Sequence, residues 1–223
     1  MKNFFLFTFL AFFTLNINSQ VNSQDIMNNR MVIPVYKKTP EGYTGSPFVN
    51  EEFQSGTIHA EQGKSQPAFL RYNAVEGIME IKLNQQQQNI HVLPRIKKIT
   101  YTLDGYTYYI DSKRTEEGEL LEGYFVNYFE GENVKLLGWP RPDLSEPQEA
   151  KSGYEKDKSA HLNVDMEYYL EIGDNRLQEV RIRPRDFRKT FDKDAAMKKF
   201  LSDNKVKDLD DAIDALKFYD KQA

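Results

Sequence analysis

Cysteine is absent from the 223 residues of this chain. Disulfides, thiolate metal sites, thiol nucleophiles and the lipid-modified cysteine of a bacterial lipoprotein are therefore excluded. Histidine is almost as scarce. His59, His91 and His161 lie far apart, and no two have the spacing of a short metal-ligand pair. No glycine-rich phosphate loop is present, and Ser46 in Gly45-Ser46-Pro47 lacks the strand–elbow–helix setting of a hydrolase nucleophile. The aspartates Asp203, Asp208, Asp210, Asp211 and Asp214 lack the glycine of a calcium loop and merge with an amphipathic helical pattern. Carboxylates are plentiful, but nothing marks two of them as a glycosidase pair. These absences weigh against an enzyme and imply neither a cofactor nor a metal.

Long apolar runs are also missing, with one exception. Met1-Lys2-Asn3 precedes an unbroken stretch from Phe4 to Leu15, closed by Asn16-Ile17-Asn18-Ser19-Gln20. A secretory h-region has about 7–15 residues, whereas a spanning helix needs roughly 20. The run predicts a signal peptide over 1–19, cleaved before Gln20, with Gln24 as the second choice. The expected compartment is the periplasm, with secretion or outer-membrane association as alternatives. No later stretch is long enough for a transmembrane helix.

Thirty basic and 34 acidic residues give a net charge of −4, or about −5 once Lys2 leaves with the leader. That balance argues against general nucleic-acid affinity. Six of the fifteen phenylalanines lie in the leader, so the mature aromatic character is mainly tyrosine. Tyrosine suits half-buried strands, where the ring packs and the hydroxyl reaches water.

The patterning predicts an α+β fold: mainly antiparallel β hairpins in a meander, with a small C-terminal helical segment. Residues 20–44 read as flexible, 45–183 as the antiparallel domain, and 184–223 as helices packed on it. Thr57–Ala60 is a candidate strand. Phe69–Tyr72 and Ile78–Leu83 flank Asn73–Gly77 as a hairpin. The polar run Asn84–Asn89 reads as an exposed connection. Ile99–Leu103 and Tyr106–Ile110 enclose Asp104-Gly105, the dipeptide that a type I′ turn requires. Further hairpins are predicted across Gly131-Glu132 and Gly173-Asp174-Asn175. Pro140, Pro142, Pro147 and Gly153 mark residues 140–161 as a surface loop. The period then changes: 184–191 predicts a short helix, Met197, Phe200 and Leu201 form a second stripe, and Leu209, Ala212, Ile213 and Leu216 a third. Asp194 and Asp208 stand where N-caps are needed.

Several of these segments carry a resemblance. Gly45-Ser46-Pro47-Phe48-Val49-Asn50-Glu51-Glu52-Phe53 followed by Gly56-Thr57-Ile58, Leu70-Arg71-Tyr72-Asn73 with Met79-Glu80, and the Tyr168-Tyr169-Leu170 hairpin with its two-helix tail resemble a group of small exported proteins abundant in Bacteroidota. The likeness spans 45–219. It implies export and a shared architecture, and it brings no catalytic residues, because that group has no assigned activity.

Two sets of residues are candidates for binding. Arg181, Arg183, Arg185 and Arg188, with Lys189, form a basic row. Alternation predicts Arg181 and Arg183 on one strand face, where guanidinium forks suit phosphate or carboxylate groups. The plainer reading is a solvated face neutralised by nearby carboxylates. Trp139, in Gly138-Trp139-Pro140-Arg141-Pro142, is a candidate platform for a sugar or a partner, as is a tyrosine face made by Tyr101, Tyr106 and Tyr108. Core packing is the plainer reading of both. The preferred expectation is a non-enzymatic exported binding or envelope-assembly module with a cell-envelope protein partner or an acidic or glycan ligand. The alternatives are a carrier of an apolar or glycan ligand on a curved sheet, and a carboxylate-dependent hydrolase.

Overall fold

A computed structural model describes residues 33–34, 43–147, 159–173 and 176–222. The predicted leader 1–19, most of 20–44 and the turn residues Asp174 and Asn175 lie outside the described residues. The chain is mostly β, in a single curled sheet of twelve strands followed by three short helices.

The strands are β1 (Ile33–Pro34), β2 (Tyr43–Gly45), β3 (Gln54–His59), β4 (Ser65–Asn73), β5 (Ile78–Lys82), β6 (His91–Val92), β7 (Thr100–Leu103), β8 (Tyr106–Arg114), β9 (Leu120–Glu130), β10 (Val134–Ser145), β11 (Ala160–Ile172) and β12 (Leu177–Val180). The helices are α1 (Pro184–Thr190), α2 (Ala195–Asp203) and α3 (Leu209–Gln222). Spatial order runs β1-β6-β5-β4-β3-β7-β8-β9-β10-β11-β12, with β2 beside β11. Residues 20–44, read as flexible, thus contribute β1 and part of β2. Pairing is mainly antiparallel, as expected, but the sheet is mixed. β2 runs parallel to β11, and an isolated parallel bridge joins Thr115 to Leu177.

Local chemistry explains the hairpins. Asp104 and Gly105 have φ of 53° and 82°, the left-handed pair of a type I′ turn, and Tyr101 faces Tyr108 across it. The helices start where their caps stand. Asp194 accepts the Met197 N–H at 2.8 Å, and Asp208 accepts that of Asp211 at 2.9 Å.

One expectation is corrected at both ends, while its centre, residues 148–158, lies outside the described residues. Residues 140–161 are not simply a surface loop: β10 continues through Pro140 and Pro142 to Ser145, and β11 begins at Ala160, so Leu144 faces Leu162 and Pro140 faces Met166. Proline normally ends a central strand because it removes a donor. Here β9 leaves β10 after the Gly138–Val126 pair, and both prolines lie past that point, where β10 has one neighbour. Earlier in the same ladder the register shifts between Leu136 and Leu137, leaving Tyr128 as the extra residue of a bulge.

Curling brings distant strands together, and a strap seals them. Ser46 donates to the Leu162 carbonyl at 3.0 Å, Val49 to that of Tyr72 at 3.2 Å, and Ala74 to that of Pro47 at 2.8 Å. The segment from β2 to Val49 therefore joins β11 to β4 across five intervening strands. Arg71 holds the strap from outside. Its guanidinium carbon lies 3.7 Å from the Phe48 ring centre and 4.4 Å from that of Phe53, and it donates to the Glu51 carbonyl at 2.8 Å. Two of its nitrogens meet one Glu80 oxygen at 3.1 and 2.7 Å.

The interior so enclosed is filled by Ile58, Leu70, Met79, Tyr101, Leu103 and Val126, all at most 1% exposed. Tyrosines complete it. Tyr72 packs edge-on against Tyr124 at 5.3 Å, and Tyr101 and Tyr108 lie within 6.1 Å of these rings. Beside this core the helices cover the rest of the same face, with Phe187, Met197, Leu201 and Leu216 against Val134, Leu136, Leu170 and Val180. Asp220 fastens the last helix by accepting the Asn133 N–H at 2.7 Å.

Two predictions follow from these contacts. Arg71→Met strands the buried Glu80 carboxylate, which should cost about 3 kcal/mol in urea unfolding, and Arg71→Met/Glu80→Leu should recover most of it. Burial, together with Asp104 and Tyr168, pushes the Tyr108 hydroxyl up to about 12. The unfolded chain ionises near 10, so this group's contribution is complete below pH 10 and is lost as pH rises toward 12. Tyr108→Phe should therefore gain stability relative to the parent between pH 10 and 12, measured by denaturant midpoints across that range.

Candidate functional site

A second closure occurs on the opposite face of the sheet. The β8–β9 hairpin tip folds over β12: Thr115 bridges Leu177, and the Glu116 N–H donates to the Leu177 carbonyl at 3.0 Å. Strands β8 to β12 thereby enclose a small core of Leu121, Phe125, Leu137, Tyr169 and Leu177. Strands β9 to β11 are buried on both faces, so their sequences lose simple alternation.

Trp139 belongs to this small core. Its ring lies 4.7 Å from that of Phe125 at 51°, and Phe125 stacks on Tyr109 at 6.1 Å. Gly123 makes room for the indole: at its φ of +147°, a Cβ would sit 3.2 Å from the ring. Around the rim Arg141 pairs with Glu167 at 3.0 Å and Glu119 at 3.2 Å, and the Tyr169 hydroxyl donates to Glu167 at 2.9 Å. The indole is half-buried. It acts as a plug held by packing, on a regular strand rather than at the start of an irregular segment. Tyr101, Tyr106 and Tyr108 do share one face, but that face is the filled interior.

A buried ion pair lies in the same small core, between Lys113 and Glu171, whose side chains are 14% and 7% exposed. Burial raises the Asp111 pKa, but hydrogen bonds from Lys97 and the Ser112 N–H, with the Lys113 charge, hold it below the usual range. A hydrogen bond from Lys135 does the same for Glu130 against the opposing effect of burial. These carboxylates are tuned to stay ionised, the opposite of what a general acid needs. Among the described residues no group of three or more His, Asp or Glu side chains is placed to hold a metal. His59 bonds to Ser65 and Thr102, His91 to Gln87, and His161 to Thr44.

The arginine row is not a strand face. β12 ends at Val180, and Arg183 donates to the Arg181 carbonyl at 2.7 Å in a tight turn. Arg183 then takes extended backbone ahead of Pro184, which opens α1. The cause is proline: it suits the first helical position and forces the residue before it out of helical geometry. Arg181, Arg183, Arg185, Arg188 and Lys189 are all exposed, and none makes an ion pair among the described residues. Direct ion pairs are thus not made there, although carboxylates do lie near: Glu117, Glu179 and Asp186 share a groove with Arg181 and Lys189. Arg188 makes only a long 3.5 Å contact to the Leu201 carbonyl.

Arg181 and Lys189 meet in a groove of about 270 Å³ with Gln178, Glu179, Val180, Asp186, Thr190 and Glu117. Arg183, Arg185, Arg188 and Trp139 do not line it. Sequence reasoning missed the groove because Glu117 and Glu179 are brought together only by the hairpin-tip contact, for which neither segment carries a local signal. No family model matches the chain, and neither does any curated protein or solved structure. The functional reading therefore rests on this chain's own residues.

As a packed plug rather than a free platform, Trp139 should be costly to remove. Trp139→Ala should lower stability by about 2–3 kcal/mol in chemical denaturation. The fluorescence of this sole tryptophan should shift to the red on unfolding, while a fully solvent-like spectrum in the native state would contradict the packing.

Proposed function

We propose that the chain is a non-enzymatic binding module, exported to the cell envelope and resident in the periplasm, with the segment from Arg181 to Lys207 as its contact face for an acidic partner. The observation that carries this reading is an excess of positive charge held without direct ion pairs. The segment holds ten lysines and arginines against Asp186, Asp192, Asp194 and Asp203, a local charge of +6 in a chain of net charge −4. None of the ten cations forms an ion pair among the described residues. Asp194 is occupied as the α2 cap, and Asp203 accepts from Ser202. A cationic face left open in this way raises the encounter rate with an acidic surface and orients it.

Kinship with the exported Bacteroidota group is part of the same proposal, supported by where its shared residues fall. Phe48, Phe53, Arg71 and Glu80 all belong to the clasp that closes the sheet. A group sharing those residues shares an architecture rather than a catalyst. The carrier reading has less support, because the concave interior is filled by side chains at most 1% exposed. The hydrolase reading has, among the described residues, no pair of carboxylates that the geometry sets apart as acid and base.

Crosslinking in native envelopes tests the proposal. The parent chain should capture the same partner reproducibly, and Arg183→Glu/Arg185→Glu/Arg188→Glu should lose most of it at unchanged thermal midpoint. Equal capture by both chains, or no reproducible partner for the parent, would count decisively against the reading.

A further inference from the structure

The hairpin-tip closure is held by little backbone, the Thr115–Leu177 bridge and the Glu116–Leu177 hydrogen bond. Beside that bridge stands the Lys113–Glu171 pair. Lys113 lies two residues before Thr115, and Glu171 faces Leu177 in the β11–β12 ladder. The pair joins strands that are not neighbours, because β9 and β10 lie between β8 and β11 in the sheet. Nζ of Lys113 touches Oε2 of Glu171, and both side chains are nearly buried, next to Leu121 and Leu177. Holding two charges away from water commonly costs more than their attraction returns.

Two further charges attend the pair. Asp111 Oδ2 lies 3.6 Å from the Lys113 Nζ, while hydrogen bonds from Lys97 and the Ser112 N–H fall on Oδ1. Lys135 stands directly opposite Glu171 across β10 and β11, and its charge acts on that carboxylate. Glu171 also lines a groove of about 220 Å³ with Lys135, the 131–134 turn and Gly173, which opens to solvent.

We propose that Lys113 and Glu171 condense to an internal amide, a covalent staple across the second closure. A bond forms between Nζ and Cδ of Glu171, and the bond from Cδ to Oε2 breaks. One ammonium proton passes to Oε2 through the contact already made, and the freed amine attacks Cδ. The negative charge then developing on Oε1 is met by Lys135. Asp111, held ionised, takes a second proton from Nζ and hands it to the departing hydroxyl. The third proton stays on the amide nitrogen. One water leaves by the groove, so the step needs no oxidant or co-reactant. In dilute solution hydration keeps an amine and an acid ionised and apart. Here burial removes that hydration, and fixed geometry supplies an effective concentration of about 10⁵–10⁸ M for well-aligned groups. The amide keeps the link and disposes of both charges. It goes beyond the binding reading and stands or falls independently of it.

Peptide mapping after denaturation and trypsin digestion tests the staple. An acylated lysine is not cut, so the parent should yield one linked species joining residues 99–114 to 159–176, one water lighter than the two peptides together. Lys113→Arg keeps the ion pair but should give no linked species. Intact, that variant should exceed the parent by one water beyond the side-chain difference, and its thermal midpoint should fall by several degrees. Asp111→Asn should lower the linked fraction in freshly made protein by roughly tenfold or more. Cleavage after Lys113 in the parent, with no linked species, would overturn the inference, and this result does not depend on any variant folding. A linked species persisting in Lys113→Arg would also overturn it, because another nucleophile would then be responsible. Linking of Asp111→Asn at the parent's rate would remove Asp111 from the step.

Discussion

The fold depends on the position of one guanidinium. Arg71 sits on the outside of β4, with two phenylalanine rings on it and the Glu80 carboxylate against it. Those rings belong to the strap that joins β4 to β11. Without the strap, the curl would end in two open edges and an interior exposed along a seam. A chain without cysteine has no covalent staple for such a seam. The substitute is a cation held between aromatic faces and a buried carboxylate, backed by backbone bonds on either side. Cation–π contacts strengthen as water leaves, and the Arg71 side chain is only 18% exposed. The same burial makes the arrangement unforgiving, because Glu80 has Arg71 as its ion-pair partner and lies on a strand that cannot move away.

The second closure is built differently. At the strap, backbone bonds run on from Ser46 to Ala74 and leave the seam covered. At the hairpin tip the contact is one bridge long, and the tip then turns away. Both closures bury a core, so stability alone does not explain why one is complete and the other is not.

Legibility in the sequence followed the range of the interaction. The Asp104-Gly105 turn, the Asp194 and Asp208 caps and the three helical stripes were readable because their causes lie within a few residues. The pairing of Pro140 with Met166 was not, because prolines are tolerated there only once β9 has departed, a fact about a third strand. Alternation continues through Arg181 and Arg183 and so reads as strand, yet the conformational demand of Pro184 on its predecessor ends it. Trp139 stands out in the sequence, but its role as a plug depends on Gly123 leaving space for the indole. The basic row was visible as composition. Its lack of carboxylate partners, and the groove beside it, were not, since both follow from where β8–β9 meets β12.

The cationic segment sits in a chain whose remainder is acidic. Outside 181–207 the chain carries a net −10, so the cationic segment is attracted to its own body as well as to any partner. That attraction is not realised as ion pairs among the described residues, because the helical cap is held by apolar packing of Phe187, Met197 and Leu201 that fixes its cations outward. Rigid packing thus preserves a field that flexible side chains on a loop would neutralise. Such a field acts over about 8 Å at physiological ionic strength, enough to orient an approaching acidic surface but too smooth to select a sequence. Selection needs contacts of fixed register, which a lysine-rich surface does not provide. On the proposed binding reading, selectivity for one acidic partner must therefore come from contacts beside the charge and not from the charge itself.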